Sequence, residues 1–368
     1  MVIEPKVRGF ICTTAHPEGC KQSVLSQIRV AKTYKKPSHD FSRALVIGGS
    51  TGYGLASRIA LAFSCGASTL NVMFERPAAG VRTATAGWYN TAAFEAEAEK
   101  AGLYAKSING DAFSAEIKKR TAEVIRRDLG KVDCVVYSLA APRRTLPDGT
   151  TVSSVLKTIG EPFTEKTIDL RTREVGEITV PCSTQDEIDA TVKVMGGEDF
   201  AAWIEFLHAE GLLAENAEAV AYSYIGPVLT HPIYLKGTIG MAKRDLYYSA
   251  EAIRKKLPVN ARIAVNKALV TQSSAAIPVV PLYISLLYKT MKEKKVHEGC
   301  IEQMCRLFTQ KYFTYDDEGY IRMDDLEMKE DVQKAVEKAW KAGGTDTLNK
   351  YADLDGFFDD FYKLFGFN

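Results

Sequence analysis

An α/β fold, a doubly wound parallel sheet carrying an inserted hairpin and extra terminal segments, is what this sequence predicts. Three observations predict it. Short apolar runs alternate with helix-compatible stretches along most of the chain. The run Ala44 to Ile47 leads into glycines at 48, 49, 52 and 54 and then into LASRIALAF. Val132 to Leu139, VDCVVYSL, is apolar almost throughout, as a strand covered on both faces should be.

The stretch LVIGGSTGYGLASR, Leu45 to Arg58, organises the rest. Strand, tight turn and helix follow one another, the layout that cradles a dinucleotide pyrophosphate. Gly52 and Gly54 let backbone approach the ligand, and free N–H groups at the helix start face its phosphates. The spacing G-x-x-x-G-x-G at 48, 52 and 54 matches the short-chain dehydrogenase/reductase pattern. The expectation is therefore an enlarged sheet of Rossmann type.

At 368 residues the chain has room for one large α/β domain with insertions, or for two domains. A single large domain is expected over 1–368. Its dinucleotide-binding core spans 41–290 and includes an insertion at 143–198; 1–40 form an N-terminal arm and 291–368 a helical extension. Charged residues make up 25% and the net charge is +1, so nothing points to nucleic acid or a membrane surface. Seven cysteines, none in a C-x-x-C pair, suit a reducing compartment better than a disulfide framework. VIEPKVRGF does not read as a signal peptide, and no apolar run is long enough to span a bilayer. The expected location is the cytoplasm.

In order, Val2 to Ile11 predicts a strand or hairpin joining a sheet edge, and Val24 to Tyr34 a helix ended by Lys35-Lys36-Pro37-Ser38. Cys12, His16 and Cys20 recur every four residues. On a helix they would share a face, but Pro17 and Gly19 intervene and no fourth ligand is evident, so no metal is expected. Thr69 to Glu75 predicts the second strand. Its terminal Glu75, 21 residues beyond Gly54, is placed to accept from the adenosine ribose hydroxyls and to repel a 2′-phosphate. The alternative is a solvated strand-end glutamate. Arg76 beside it blurs the choice, which falls on NADH. After an excursion at 77–90, Thr91 to Ala101 predicts a helix and Tyr104 to Ile108 a third strand. Asp111 either bonds the adenine amino group or caps a helix over Ala115 to Leu129. Ser138-Leu139-Ala140-Ala141-Pro142 lies at the carboxyl end of the next strand, on the crevice side where a nicotinamide ribose is held.

Residues 143–198 interrupt the rhythm, and TIDLRTREVGEITV predicts a hairpin. Glu187 to Met195 and Asp199 to Ala209 predict helices. Ala219 to Ile225 predicts a strand stopped by Gly226-Pro227, with Tyr224 near its carboxyl end, Ser223 on the opposite face and Tyr222 in packing. Tyr234 and Lys243 follow. On one helix nine residues turn about 900°, which sets the two on opposite sides. They can cooperate only if Tyr234 precedes a helix beginning at Gly237-Thr238. A lysine ammonium near a phenol favours the phenolate and can also hold ribose hydroxyls. Val259 to Val270 predicts another strand, and Thr271 in the following loop is a candidate for pyrophosphate or carboxamide. PLYISLLYK begins a helix whose Ile284, Leu286 and Leu287 either line an acyl pocket or fill core. One helix is expected within Lys292 to Phe308, and a charged helix with an apolar stripe over Asp324 to Ala342. The aromatic tail Leu354 to Phe367 is expected to pack on the body or on a neighbour.

VRGFICTTAHPEGC, IGGSTGYGLASRIA, FER at 74–76, GWYN, INGDAFS, VVYSLAAPRRT, VMGGEDF, IYLKGTIGMAK, VTQSSAAIPVVPLY and MKEKKVHEGCIEQ together resemble the FabV-type trans-2-enoyl reductases over nearly the whole chain. That family includes trans-2-enoyl-CoA reductases and bacterial enoyl-acyl-carrier-protein reductases. The Y-x8-K spacing of Tyr234 and Lys243 is itself its active-site mark, wider than the Y-x3-K and Y-x6-K of related reductases. The resemblance implies NADH-dependent reduction of the C2–C3 double bond of a trans-2-enoyl thioester, carried on acyl carrier protein or coenzyme A, in fatty acid synthesis. It implies Tyr234, Lys243 and Tyr224 as catalytic residues. Cofactor contacts would come from Gly48, Ser50, Gly52, Tyr53, Gly54, Phe74, Glu75, Asp111, Ala112, Ser138, Leu139, Ala140, Lys243, Leu269, Val270 and Thr271. Tyr53 would stand close to the reacting end, and the substrate would meet Tyr224, Tyr234, Ile284 and Leu287. A monomer is expected, with a dimer open. The chain ends soon after the family's LFGF segment, which relatives extend; no change in the chemistry is expected. The rivals are a short-chain-type carbonyl reductase or alcohol dehydrogenase, for which Y-x8-K is a poor fit, and a nucleotide-binding protein without turnover.

Overall fold

Seven parallel strands form the central sheet of the computed structural model, which describes residues 3–8, 11–37, 39–139 and 141–367. In chain order these are β1 Arg43–Ile47, β2 Ser68–Met73, β3 Ala105–Asn109, β4 Val132–Tyr137, β5 Leu213–Ser223, β6 Val259–Val265 and β7 Ile321–Arg322. They lie in the order β7-β6-β5-β4-β1-β2-β3. The strand order reverses between β1 and β4, where Ile47 stands opposite Tyr137 in register. At such a reversal the loops leaving neighbouring strands part and leave a crevice at the carboxyl ends.

Among the described residues, twelve α-helices carry the connections: α1 Pro17–Ala31, α2 Gly52–Ala60, α3 Ala86–Lys100, α4 Ala115–Val124, α5 Gln185–Met195, α6 Glu198–Ala209, α7 Thr238–Lys256, α8 Val280–Glu293, α9 Cys300–Arg306, α10 Glu330–Ala342, α11 Leu348–Tyr351 and α12 Leu354–Lys363. Strand alternation sorts the core into two layers. Ala44 and Val46 pack with α1, α2, α3 and α9 on one face, and Leu45 and Ile47 with α4, α6 and α7 on the other. A third apolar cluster, built on α8, α10 and α12, joins Tyr234 and the loop after β6.

Several bounds differ from the expectations. The N-terminal strand does not join the sheet: Val7–Arg8 pairs with Ile11–Cys12 as a two-residue ribbon. Helix α1 starts at Pro17, because a proline suits the first helical position and the His16 ring accepts from the Gly19 N–H at 3.2 Å. Cys20 is therefore buried in that helix. Among the described residues, no three metal-ligating side chains stand together. Helix α3 begins five residues early, at Ala86, so GWYN forms its first turn. Between β4 and β5 the hairpin Phe163–Ile168 with Val175–Val180 forms as expected, and a smaller one, Arg143–Thr145 with Thr151–Ser153, precedes it. The charged helix begins at Glu330 and buries Val332, Val336, Ala339 and Trp340. Phe357, Phe361 and Phe365 of the tail are buried in the α8 cluster.

Arg58 on α2 is fully buried. Its guanidinium donates to Ser107 Oγ (2.9 Å), the Lys106 carbonyl (2.9 Å) and Glu95 (3.2 Å), and burial pulls its pKa down to about 10. Together with a bond from Arg58 Nε to Thr69 Oγ1 at 3.3 Å, these tie β2, β3 and α3 to α2. Arg58→Ala should leave the acceptors unpaired and lower unfolding stability by about 2 kcal/mol, read by urea titration.

Candidate active site

The crevice at the strand ends is a cavity of ≈ 320 Å³, within the range of small-ligand sites. Its floor is the glycine loop. Gly48 has a φ of +88° and a β-carbon there would strike the Ser138 carbonyl, while one on Gly54 would strike the Gly48 carbonyl. By contrast, nothing lies within 4 Å of where a Gly52 β-carbon would stand, although its φ is +53°. Open space thus faces the first turn of α2. Thr51 begins that helix without a side-chain cap, so its first N–H groups are free for an anion. These residues fit a dinucleotide pyrophosphate.

Ser50 is buried, and its hydroxyl donates to Glu75 Oε1 at 2.6 Å. Glu75 lies two residues past β2, with its backbone paired to the Asn109 side chain at 2.8 and 2.9 Å. Its carboxylate stands against Gly87 in the first turn of α3, where any larger residue would collide with it. It is therefore held in place, not loosely solvated. Phe74 beside it is 78% exposed. Asp111 does not cap α4, since Ser114 does so by accepting from Ile117 N–H at 3.2 Å; Asp111 instead accepts from Phe113 N–H at 3.0 Å. Ala112 is buried and accepts from Trp203 Nε1 at 3.1 Å. Both lie past the end of β3, away from the crevice lining.

On the other side, Ser138 and Leu139 line the crevice; Ala140 lies outside the described residues. Tyr53 also lines it, its hydroxyl donating to the Lys267 carbonyl (2.7 Å) and accepting from Gln303 Nε2 (3.0 Å). Strand β6 stops at Val265, short of the expected Val270, and Asn266 to Gln272 become loop. Leu269 and Thr271 face the crevice, whereas Val270 is buried with its N–H on the Tyr288 hydroxyl at 3.1 Å. Ser274 closes that loop by accepting from Thr271 N–H at 2.8 Å and donating to the Leu269 carbonyl at 2.6 Å.

Tyr234 precedes α7 and Lys243 sits in its second turn, both lining the crevice. Two glycines make this possible. A β-carbon on Gly237 would strike the Ile233 carbonyl, and one on Gly240 would strike the carbonyls of Tyr234 and Leu235. The loop bearing Tyr234 therefore folds directly onto the first turn of α7. Thr238 clamps the helix start to the 143–198 insertion by donating to the Val155 carbonyl at 2.6 Å.

The Lys243 ammonium donates to the Tyr222 carbonyl at 2.9 Å, which leaves further protons for a ligand, and burial pulls its pKa down to about 8. Tyr234 is 8% exposed, and burial pushes its phenol up. Its hydroxyl makes no hydrogen bond to another described residue. The Tyr224 ring meets it edge-on, centroids 4.6 Å apart. Tyr222 and Ser223, the last two residues of β5, and Tyr224 just past its end all line the crevice. Tyr222 is held by Ser57 on α2.

Of the acyl-side residues, Ile284 lines the crevice together with Ile277, Val280 and Leu364, while Leu286 and Leu287 are buried outside the lining. One turn of α8 separates wall from core. Sequence reasoning passed over Asn266, Lys267 and Glu327. Lys267 and Glu327 are buried charges on loops, and nothing in local periodicity marks them.

Three family models match. Residues 2–80 match the NAD(P)H binding domain of trans-2-enoyl-CoA reductase, 82–313 the trans-2-enoyl-CoA reductase catalytic region, and 315–368 an enoyl reductase FAD binding domain. In this chain the last segment does not fit a flavin. Phe357, Phe361 and Phe365 are spent on packing, and the groove it forms with Pro5 is lined by Asp359, Tyr362, Lys363 and Phe367, with no glycine turn among them.

An enoyl-[acyl-carrier-protein] reductase [NADH] of Flavobacterium johnsoniae is 55% identical, over 100% of this chain and 95% of its own length. A trans-2-enoyl-CoA reductase [NADH] of Ruminiclostridium cellulolyticum is 52% identical with the same coverage. Among solved structures, the Treponema denticola trans-2-enoyl-CoA reductase in complex with NAD superposes with a TM-score of 0.96 at 45% identity, covering 100% of this chain and 96% of that one. The Clostridium acetobutulicum enzyme in complex with NADH gives 0.96 at 41%, covering 100% and 95%. With a glycine loop, a placed tyrosine–lysine pair and whole-length likeness, the chain belongs to the family of NADH-dependent trans-2-enoyl reductases.

Proposed function

We propose that this protein reduces the C2–C3 double bond of a trans-2-enoyl thioester, on acyl carrier protein or coenzyme A, with Tyr234 stabilising the enolate that forms. The observation that carries the reading is that Tyr234 and Lys243 both line the crevice floored by the glycine loop. NADH, when bound, supplies the hydride. Its pyrophosphate would lie on Gly48, Gly52 and Gly54 at the start of α2, with Glu75 toward the adenosine ribose and Lys243 toward the nicotinamide ribose. Phe74, Asp111, Ala112 and Thr271 would complete its contacts, and Ser138, Leu139 and Tyr53 would border the nicotinamide.

As charge develops on the thioester oxygen, a donor aimed at that oxygen lowers the barrier most. Tyr234 has a hydroxyl uncommitted to any described residue, in a largely buried setting that strengthens such a bond. The neighbouring apolar wall of Ile277, Val280 and Ile284 would hold the first carbons of the acyl chain and exclude water.

Cofactor choice follows from Glu75. NADH should show the lower KM, and Glu75→Ala should narrow the gap to NADPH. Preference for NADPH in the unaltered protein would assign control to Arg76. The Lys243 ammonium adds a pH dependence. In the free enzyme it loses its proton near pH 8, so NADH affinity should fall as pH rises through that value. Lys243→Arg, whose charge persists, should remove the inflection. Trimming Ile284 to Ala should shift preference among acyl lengths by about 1–3 kcal/mol with NADH binding intact. Equal loss at every length would make Ile284 core. Initial rates with crotonyl and longer thioesters on both carriers assign the carrier. The burial of the α10 and α12 apolar faces within the chain supports a monomer, which light scattering tests.

A further inference from the structure

Behind the crevice wall, Glu327 is buried completely on the loop between β7 and α10. Three donors converge on its carboxylate. Tyr283 donates to Oε1 at 2.6 Å, Tyr224 to the same oxygen at 3.0 Å, and the Ala268 N–H to Oε2 at 2.7 Å. The direction of these bonds is set from behind. Gln333 Nε2 donates both to the Tyr283 hydroxyl (3.2 Å) and to the Glu327 carbonyl (2.7 Å), so Tyr283 must turn its proton to the carboxylate. Ala268 has only a backbone N–H to give. A carboxylate is an acceptor alone, and the Tyr224 proton is therefore drawn to it as well. Burial raises the Glu327 carboxyl above its ordinary value, and the buried Lys267, which lines the crevice, opposes that rise together with the Tyr283 and Ala268 donors.

The consequence reaches the reacting end. Tyr224 and Tyr234 meet edge to face, yet their hydroxyls differ: one is committed to Glu327, the other to no described residue. We propose that Glu327 is a positioning residue for the reduction: it takes the Tyr224 proton, turns that phenol's lone pairs toward the crevice, and leaves Tyr234 as the phenolic donor to the thioester oxygen. This rests on the roles assigned to the two tyrosines above. It gives the helical C-terminal extension a part in the chemistry, through one side chain.

Glu327→Gln tests it. The amide nitrogen must face either the Ala268 N–H or the two phenols. In the second arrangement Tyr224 accepts from it and turns its proton into the crevice, competing with Tyr234. Turnover of Glu327→Gln at saturating substrate is expected to fall about 10-fold, the scale of one misdirected charged hydrogen bond, with NADH affinity within about 2-fold of the unaltered protein. The decisive protein is the double variant Tyr224→Phe/Glu327→Gln. Acting through the Tyr224 hydroxyl, Glu327 should add nothing once that hydroxyl is gone, and the double variant should match Tyr224→Phe alone. A merely structural glutamate would give multiplying losses, and that result overturns the inference, as would unaltered turnover in Glu327→Gln. If Glu327→Gln does not fold, Glu327→Asp enters the same cycle, since it keeps the charge but withdraws it from Tyr224; the expected and overturning results are the same. Unaltered turnover in Tyr224→Phe would instead strike at the reading of the active site itself.

Discussion

Tyr234→Phe should lower kcat and kcat/KM together by roughly 100-fold or more, the scale of losing one well-placed oxyanion donor. The substitution removes only a hydroxyl that no described residue uses, and the ring keeps its edge contact with Tyr224. Folding and NADH binding should therefore survive, and the whole loss should lie in stabilisation of the developing enolate. Lys243→Ala should also slow turnover but with weaker NADH binding, because its ammonium is spare beyond the bond to the Tyr222 carbonyl. Steady-state kinetics paired with NADH titration of both variants separate the two roles. Near-normal turnover in Tyr234→Phe would remove this tyrosine from the mechanism and leave Tyr224 as the next candidate.

Lys118→Met should cost about 3–5 kcal/mol of unfolding stability, the scale of leaving one partner of a buried pair alone. Lys118 Nζ lies 2.6 Å from Asp199 Oδ1, with side-chain exposures of 11% and 2%. Tyr137 donates to the other oxygen at 3.0 Å, and the ammonium also donates to the Ala112 carbonyl at 3.2 Å. Burial already raises the Asp199 carboxyl against the opposing pull of Lys118. Methionine fills the same volume, so the loss should report charge and hydrogen bonds more than packing. Because α4, α6 and β4 meet here, the effect should appear in the midpoint of a urea titration. A change below about 1 kcal/mol would mean that the pair contributes little net, as exposed pairs do.

Much of the scaffold was legible in local pattern. The strand–glycine–helix unit, the apolar runs of β1, β2, β4 and β6, and the hairpin at 163–180 all carry their signal within a few residues. The start of α7 was legible too, because a nine-residue step cannot bring Tyr234 and Lys243 to one side of a helix and Gly237-Thr238 offers a helix start. Bounds were less so. Proline at the first helical position drew α1 back to Pro17, and the fit of Gly87 against Glu75 accompanies an early α3.

Periodicity, glycine spacing and motifs read along the chain already carry the doubly wound sheet, the strand–glycine–helix unit and the family. Tertiary packing alone sets which residues of α8 are wall and which are core, that Glu75 is gripped by Ser50, and that Tyr222 and Ser223 join Tyr224 at the crevice. It alone paired Lys118 with Asp199 and brought Glu327 behind Tyr224, across 103 residues. The physical reason is common to these cases. A buried polar group is tolerated where distant partners satisfy it, and partners far apart in the chain leave no periodic trace at either position.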